Sequence, residues 1–405
     1  MDSRFSDCWI CGEADASSAD VSGPWIEVDL EAIGHNIDAI RRIAQTPLMP
    51  VIKANAYGHG LVPVARWLAA HGTVHALAVG TVCEAVALRQ ADIALPVLNL
   101  GPYSRREAGR IAELGIRQSV FTEAVAWLEG AAAARDTIVG VHVKIDTGLG
   151  RVGVPHGRAA DFIEQVAGSS HLRLEGVFTT LSEDPDFDRV QLARFHAVMG
   201  ALAARGIDPG LRHAASSAAV LAQPEARLDL VRPGIMVFGH YPSPAEYRRR
   251  RIDLEPALAL KTRVVCAKRL RAGDPVGYHR SYRAPADETL VTGAIGYPDG
   301  YPAAAPERNV EALIGGRRHR LVAAVGASHI FLRGGPVDVG AGDEIVLYGA
   351  QGRARIALEE VAAAVERSEY HLLACLSPAL PRFYRSGNRI AAETPRALRA
   401  ATPLC

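Results

Sequence analysis

The 405-residue chain is poor in several things. Its six cysteines, at 8, 11, 83, 266, 375 and 405, are too sparse for a disulfide framework, and the cytoplasm is therefore the expected compartment. Neither charge is in surplus: 45 Lys and Arg meet 44 Asp and Glu, for a net charge of +1. Nucleic-acid partners normally draw a basic excess, so none is expected. No apolar run approaches the ~18 residues of a spanning helix, and the opening residues carry no apolar stretch of the signal-peptide kind. Neither a membrane anchor nor secretion is expected. Lysine is scarce: Lys53, Lys144, Lys261 and Lys268 are the only candidates for amine chemistry. Apolar residues, by contrast, make up 49% of the chain, enough at this length to bury a large core in two domains. Cys8-Trp9-Ile10-Cys11 is a lone C-x-x-C without a second ligand pair, so no metal is expected and the segment reads as a loose leader.

Between Trp25 and about Leu254, short apolar runs alternate with amphipathic stretches, the pattern of repeated βα units. The runs fall at Met49–Ile52, Ala76–Gly80, Val97–Leu100, Ser119–Phe121, Ile138–Lys144, Leu174–Phe178, Arg212–Ala215 and Leu228–Val231. Stretches such as Arg105–Leu114 and Val190–Ala204 between them carry apolar residues at helical spacing. About eight strands over roughly 230 residues predict an α/β fold, a (β/α)8 TIM-type barrel. After Glu255-Pro256 the texture changes to strand-like segments separated by Gly, Pro and Asp turns, which predicts a mainly β C-terminal domain. The expected division is a leader at 1–23, a barrel at 24–255, a β-rich domain at 256–391 and a tail at 392–405.

Three clusters carry chemistry. Val51-Ile52-Lys53-Ala54-Asn55-Ala56-Tyr57-Gly58-His59-Gly60 puts a lysine at the end of an apolar strand, before a small-residue turn. That is the barrel mouth where such folds build active sites, and a lysine buried among apolar neighbours has a lowered pKa and forms Schiff bases. Surface lysine is the competing reading. Lys144-Ile145-Asp146-Thr147-Gly148-Leu149-Gly150-Arg151 ends another strand; its arginine offers a fork for a carboxylate, or else forms a structural ion pair with Asp146. His213-Ala214-Ala215-Ser216-Ser217 and Val231-Arg232-Pro233-Gly234-Ile235 end the last two strands, where hydroxyls and free backbone N–H groups can cradle a phosphate.

Taken together and in this order, the motifs resemble those of fold-type III pyridoxal-phosphate enzymes of the alanine racemase family, from Trp25 to Arg382. The resemblance implies a cytoplasmic amino-acid racemase, an isomerase that uses pyridoxal 5'-phosphate and works as a homodimer with shared active sites. Lys53 matches the Schiff-base lysine and one acid/base. Tyr278 matches the opposite-face base, supplied by the partner subunit. Cofactor-binding positions fall on Lys53, Tyr57, His213, Ser216, Ser217, Arg232, Gly234, Ile235 and Tyr370. Arg232 matches the arginine facing the pyridine nitrogen; a permanent guanidinium keeps that nitrogen unprotonated and favours reprotonation at Cα over transamination. Arg151 matches the substrate-carboxylate arginine and Lys144 a lysine, often carbamylated, that positions it. Tyr297 and Ala327 fall at the entrance and substrate side. Racemisation needs a proton removed on one face and delivered on the other, which two flanking groups do better than one. A phenol of ordinary pKa near 10 acts as a base at neutral pH only in positive surroundings.

Departures from the family pattern are confined to the surround. Thr180 stands where a histidine is usual, Ala327 and Ser328 replace Met and Asp, Ser216 replaces Asn, and Ala303 and Ala324 replace entrance arginines. Lost bulk and charge there would admit a substrate larger or less polar than alanine, so the expected substrate is alanine or a larger, less usual amino acid. Two other readings are a decarboxylase, disfavoured because Arg232 stands where those relatives carry an acid, and a non-catalytic cofactor-binding homologue, disfavoured by the joint presence of Lys53, Tyr278, Arg151 and Arg232.

Overall fold

A computed structural model describes residues 21–335, 339–387 and 389–393. The Cys8/Cys11 leader and everything past residue 393 lie outside the described residues. Contacts divide the described residues into two units: residues 34–56 with 61–255, and residues 21–33 with 57–60, 256–335, 339–387 and 389–393.

The first unit is a parallel barrel. Strands Leu77–Val79, Val97–Asn99, Arg117–Val120, Val139–Asp146, Leu172–Phe178 and Leu211–His213 pair in that order. Segments 48–52 and 229–233 close the ring through the parallel bridges Leu48–Val231 and Val51–Ala78. Asp229 N donates to Arg212 O at 3.0 Å and Arg232 N to Ala215 O at 2.9 Å, which ties the last segment to its other neighbour. These eight stretches coincide with the eight apolar runs of the sequence, because strands covered on both faces read as continuous apolar segments. Helices stop and start on recognisable caps. Thr81 with Glu84 and Ser104 with Glu107 form capping boxes, and Asp184 caps Pro185–Ala204 with proline in its first turn.

The second unit is built on the 13-residue strand Leu258–Leu270. It pairs with Glu288–Gly293 along one stretch and with Glu344–Gln351 along another. Through Glu311–Ile314, Arg317–Val322 and Ile330–Arg333 the six strands return on themselves. Trp25–Asp29 also belongs here, antiparallel to Leu258–Leu270 and parallel to Arg382–Ser386. The linear pattern grouped this strand with the barrel stretch; its partners are more than 200 positions away, and no local pattern names them. A final strand, Arg389–Glu393, runs just beyond the expected start of the tail.

Helix Leu30–Ala44, which the alternation of runs did not single out, precedes the first barrel strand. Its Asn36 is fully buried and accounts for three backbone groups of the same unit: Nδ2 donates to Val237 O at 3.2 Å and Glu255 O at 2.8 Å, and Oδ1 accepts from Glu255 N at 2.8 Å. Asn36→Ala strands those groups away from water, so the expected loss of stability is about 2–4 kcal/mol, read as a lower urea midpoint. An unchanged midpoint contradicts this account.

Candidate active site

Lys53 ends the first barrel segment and opens directly into a strained turn. Ala54, Asn55, Ala56 and Tyr57 all have φ between 50° and 56°, a left-handed turn of four non-glycine residues that continues into Gly58. Each such residue costs roughly 1–2 kcal/mol, so the turn persists only because its surroundings hold it. Glu84 does much of this: Oε1 accepts from Asn55 N at 3.2 Å while Oε2 accepts from Gly80 N and Thr81 N. Asn55 Oδ1 in turn accepts from Leu61 N at 2.8 Å. Gly80 leaves room for the lysine itself, since a Cβ there would lie 3.2 Å from Lys53 Cβ.

The lysine is solvent-reachable at the mouth rather than enclosed by apolar neighbours, because glycine and polar groups surround it. Its pKa is nonetheless lowered, by partial burial first and Arg151 second, with Glu84 opposing. The other barrel lysine, Lys144, is 5% exposed, with Nζ 5.7 Å from the centre of the Phe178 ring. Burial, then Arg151 and Arg232, push it down to about 8 against Asp146. Lys261 is engaged elsewhere, with Glu27 at 2.9 Å and Glu344 at 3.1 Å, and Lys268 is exposed on the same strand. Among the four lysines, only Lys53 and Lys144 sit in the barrel.

Asp146 folds the loop that carries Arg151, its Oδ1 accepting from Gly148 N at 3.0 Å and Gly150 N at 3.1 Å. The carboxylate is thus used by the backbone, and Arg151 remains exposed at the mouth. Arg232 is buried. One terminal nitrogen lies 2.7 Å from His213 Nδ1, and the other donates to Thr179 O at 2.7 Å and Ala214 O at 3.3 Å. Its guanidinium lies 5.0 Å from the Phe178 ring centre, and His213 stacks on that ring at 4.8 Å and 6°. Ser217 Oγ accepts from Gly234 N at 2.9 Å, joining the two strand ends, and Ser216 stands at a helix N-cap without capping a backbone N–H. Ile235 follows in a short 3-10 turn.

His142 was not singled out from the sequence, although it shares a strand face with Lys144 two positions on. Its Nδ1 lies 2.9 Å from His213 Nε2. Arg232 can only donate, so His213 Nδ1 accepts, His213 Nε2–H donates and His142 Nδ1 accepts. Both rings are neutral: burial lowers His142 to about 4 and His213 well below its ordinary value, with Arg232 adding to both. Gln191 and Arg194 were missed as well. Gln191 Nε2 donates to Thr147 Oγ1 at 3.2 Å and Thr180 O at 3.1 Å, and Arg194 donates to Thr147 O at 2.8 Å. Thr147 and Thr179 share a hydroxyl contact of 2.7 Å. A buried glutamine on the apolar face of Pro185–Ala204 was the available signal.

The remaining candidates belong to the β unit. Tyr57 and Tyr370 face each other with ring centres 6.0 Å apart. Tyr297 and Ala327 are brought close: Tyr297 N donates to Gly326 O at 3.1 Å, and a Cβ on Gly296 would fall 2.2 Å from the Ala327 carbonyl carbon. Gly277, beside Tyr278, packs on Ala323, where its own Cβ would lie 3.3 Å from the Ala323 Cβ. Tyr278 is 84% exposed and Tyr297 55%. A cavity of about 360 Å³ lies in the same unit, lined in part by Tyr282, Ala303, Arg320, Ala324 and Arg333.

Chemically, the barrel mouth gathers Lys53, Lys144, Arg151 and Arg232 against Asp146 and Glu84, a site made for anions. Among the described residues, no group of three His, Cys, Asp or Glu side chains could hold a metal ion, and no helix is long and apolar enough to cross a membrane.

Comparison with known proteins places this architecture. The family model for the alanine racemase N-terminal domain matches residues 28–242, and that for the C-terminal domain residues 257–384. An alanine racemase of Symbiobacterium thermophilum is 38% identical over 369 residues, covering 89% of this chain and 96% of that one. Among solved structures, an alanine racemase of Clostridium difficile 630 matches with TM-score 0.86 and 29% identity over 92% of this chain and 99% of its own. A histidine racemase from Leuconostoc mesenteroides matches with TM-score 0.81 and 28% identity over 92% and 100%.

As pH falls from 6.5 toward 4, the unfolded chain takes up a proton that folded His142 refuses, so stability is lost through that window and levels off below it. The contribution is about 3 kcal/mol from linkage. In His142→Gln the thermal midpoint falls less steeply over this range than in the parent; equal slopes contradict the neutral-histidine assignment.

Proposed function

The chain belongs to the alanine racemase family and is an amino-acid isomerase, and from that premise we propose that it interconverts L- and D-amino acids with pyridoxal 5'-phosphate by a two-base mechanism. The observation that carries this reading is the cation set at the barrel mouth, Lys53, Lys144, Arg151 and Arg232, arranged around strand ends.

The donor set suits the cofactor. Lys53 is an amine of lowered pKa at the mouth, the form that condenses with an aldehyde. Gly234, Ile235, Ser216 and Ser217, with Tyr57 and Tyr370, are the groups for its phosphate. Arg232 would stand at the ring nitrogen as a fixed cation, oriented by His213 Nδ1 and Thr179 O, which accept from it. Bound there, pyridoxal phosphate supplies the electron-withdrawing system that makes an amino acid's Cα–H acidic. The chain's residues do the rest. Arg151 grips the substrate carboxylate, and Lys144 holds positive charge beside it. Lys53 takes or returns the Cα proton on one face, and Tyr278 of the partner subunit does so on the other.

This division of labour gives the barrel unit, residues 34–56 with 61–255, Lys53, Arg151, Arg232 and the strand-end groups for the cofactor, and the β unit the second base, Tyr278. It calls for a cytoplasmic homodimer, and the exposure of Tyr278 and Tyr297 in the single chain supports that reading. Small side chains at Ala303, Ala324 and Ala327, where the family pattern has larger ones, support a substrate whose side chain exceeds a methyl group. The similarity to a histidine racemase fits a site that has moved beyond alanine.

Tyr278→Phe and Lys53→Ala separate the two faces. Tyr278→Phe is expected to lower racemisation by about 10²–10⁴-fold while one enantiomer still exchanges its Cα proton with solvent, and Lys53→Ala is expected to abolish both. Full racemisation in Tyr278→Phe overturns the two-base reading. With parent enzyme, kcat/KM along L-alanine, L-2-aminobutyrate and L-norvaline is expected to rise with side-chain length. A steep fall after alanine overturns the enlarged-substrate reading.

A further inference from the structure

The loop that carries Arg151 leaves one barrel strand and returns beside it. Ile145 pairs with Val154 and Asp146 with Pro155, so residues 147–153 form a closed excursion from a single strand end. Asp146 fixes the loop from within through Gly148 N and Gly150 N. Gly153 seals its base, where a Cβ would lie 2.6 Å from Asp146 N.

A second hold comes from outside the loop, from helix Pro185–Ala204. Phe187, Gln191 and Arg194 are spaced i, i+4 and i+7 on it and so share one face. Arg194 donates to Thr147 O at 2.8 Å, and its guanidinium lies 5.6 Å from the centre of the Phe187 ring. The loop backbone packs directly on this pair: Gly148 has φ +140°, and a Cβ on it would fall 2.7 Å from Phe187 Cζ and 2.9 Å from Arg194 Nη1. Gln191, fully buried, donates to Thr147 Oγ1 and Thr180 O and accepts from Ser182 N at 2.8 Å. It thereby joins the foot of the loop to the next strand end. That strand end also orients Arg232, because Thr179 shares a hydroxyl contact with Thr147 while its carbonyl accepts from the guanidinium.

We propose that Arg194, seated on Phe187 and backed by Gln191, is a positioning residue for substrate binding: it clamps the foot of the loop so that Arg151 presents its fork to a carboxylate at a fixed place relative to Arg232. The inference rests on the role given to Arg151 above, and Arg194 acts through Thr147 and Gly148 rather than on the substrate. A guanidinium that grips a carboxylate by two parallel bonds depends on its orientation. Displacement by about 1 Å is enough to cost up to 10²-fold. Loosening the clamp is therefore felt in substrate binding, while Lys53 and Tyr278 keep their acid/base roles.

The test compares the full-length parent with Arg194→Gln, Arg194→Lys and, as a control, Arg189→Gln at an exposed position of the same helix. Amide hydrogen–deuterium exchange is followed over residues 147–153, pyridoxal phosphate affinity by absorbance titration, and KM and kcat with whichever of L-alanine, L-2-aminobutyrate and L-norvaline the parent turns over fastest. Arg194→Gln is expected to speed exchange in that loop several-fold with the rest of the barrel unchanged, and to raise KM about 10-fold with kcat and cofactor affinity within about two-fold of the parent. Arg194→Lys, which keeps one donor, is expected to recover most of both effects, and Arg189→Gln to match the parent. Should Arg194→Gln not fold, Phe187→Leu removes the ring under the same guanidinium and is read in the same way. Unchanged loop exchange overturns the clamp. Faster exchange with unchanged KM, or a loss confined to kcat, overturns the positioning role. A parent that turns over no amino acid fails the racemase reading instead; L-norvaline slowing loop exchange in the parent but not in Arg194→Gln then upholds the clamp, and equal effects in the two overturn it.

Discussion

A guanidinium buried inside a parallel barrel is the constraint around which the site is arranged. Arg232 is 5% exposed and cannot shed its proton to escape the cost, so every donor must be aimed at an acceptor. The acceptors come from neighbouring strand ends: His213 Nδ1, Thr179 O and Ala214 O. Accepting from Arg232 fixes the tautomer of His213, which fixes that of His142, and burial keeps both rings uncharged. Phe178 lies beneath, stacked on His213 and overlooked by Arg232 and Lys144. Oriented in this way, the arginine is a rigid donor at the one place where ring electronics choose between racemisation and other outcomes.

The strained turn at residues 54–57 is the counterpart on the neighbouring strand end. A chain of ordinary residues does not enter the left-handed region four times in succession unless something else holds it there. Glu84 is that element, capping its own helix with one oxygen and holding Asn55 with the other. Rigidity at Lys53 is therefore anchored in the helix that carries Glu84. Catalytic groups held by such supporting contacts keep the geometry that general acid–base work demands.

Most of the barrel was legible because its strands are covered on both faces and read as unbroken apolar runs. Leu258–Leu270 and Glu311–Ile314 were equally plain, being long or sharply bounded by turns. Trp25–Asp29 was not, since its identity comes from the strands of Lys261 and Arg382, far along the chain. Lys53, Arg151 and Arg232 stood out through motif and strand-end position. His142 and Gln191 did not, because a single polar residue in an apolar segment looks the same whether it is a satisfied core group or part of a relay. Only the distances to His213 and Thr147 separate those cases. The expectation that Lys53 is walled by apolar side chains failed for a related reason: its neighbours, Gly80 and Glu84, come from the next strand end.

The altered surround has a physical pattern of its own. Ala303 and Ala324 line one cavity, so at least these two changes fall in one region, and the cation set is left intact. The most direct test of the whole account is deuterium wash-in: the protein with added pyridoxal phosphate in D2O, given L-amino acids one at a time, with Cα–H loss followed by NMR and the products resolved by chirality. The account calls for exchange accompanied by the D-isomer for at least one amino acid larger than alanine. Exchange with retention of the L-form throughout, or no exchange with any amino acid, contradicts it.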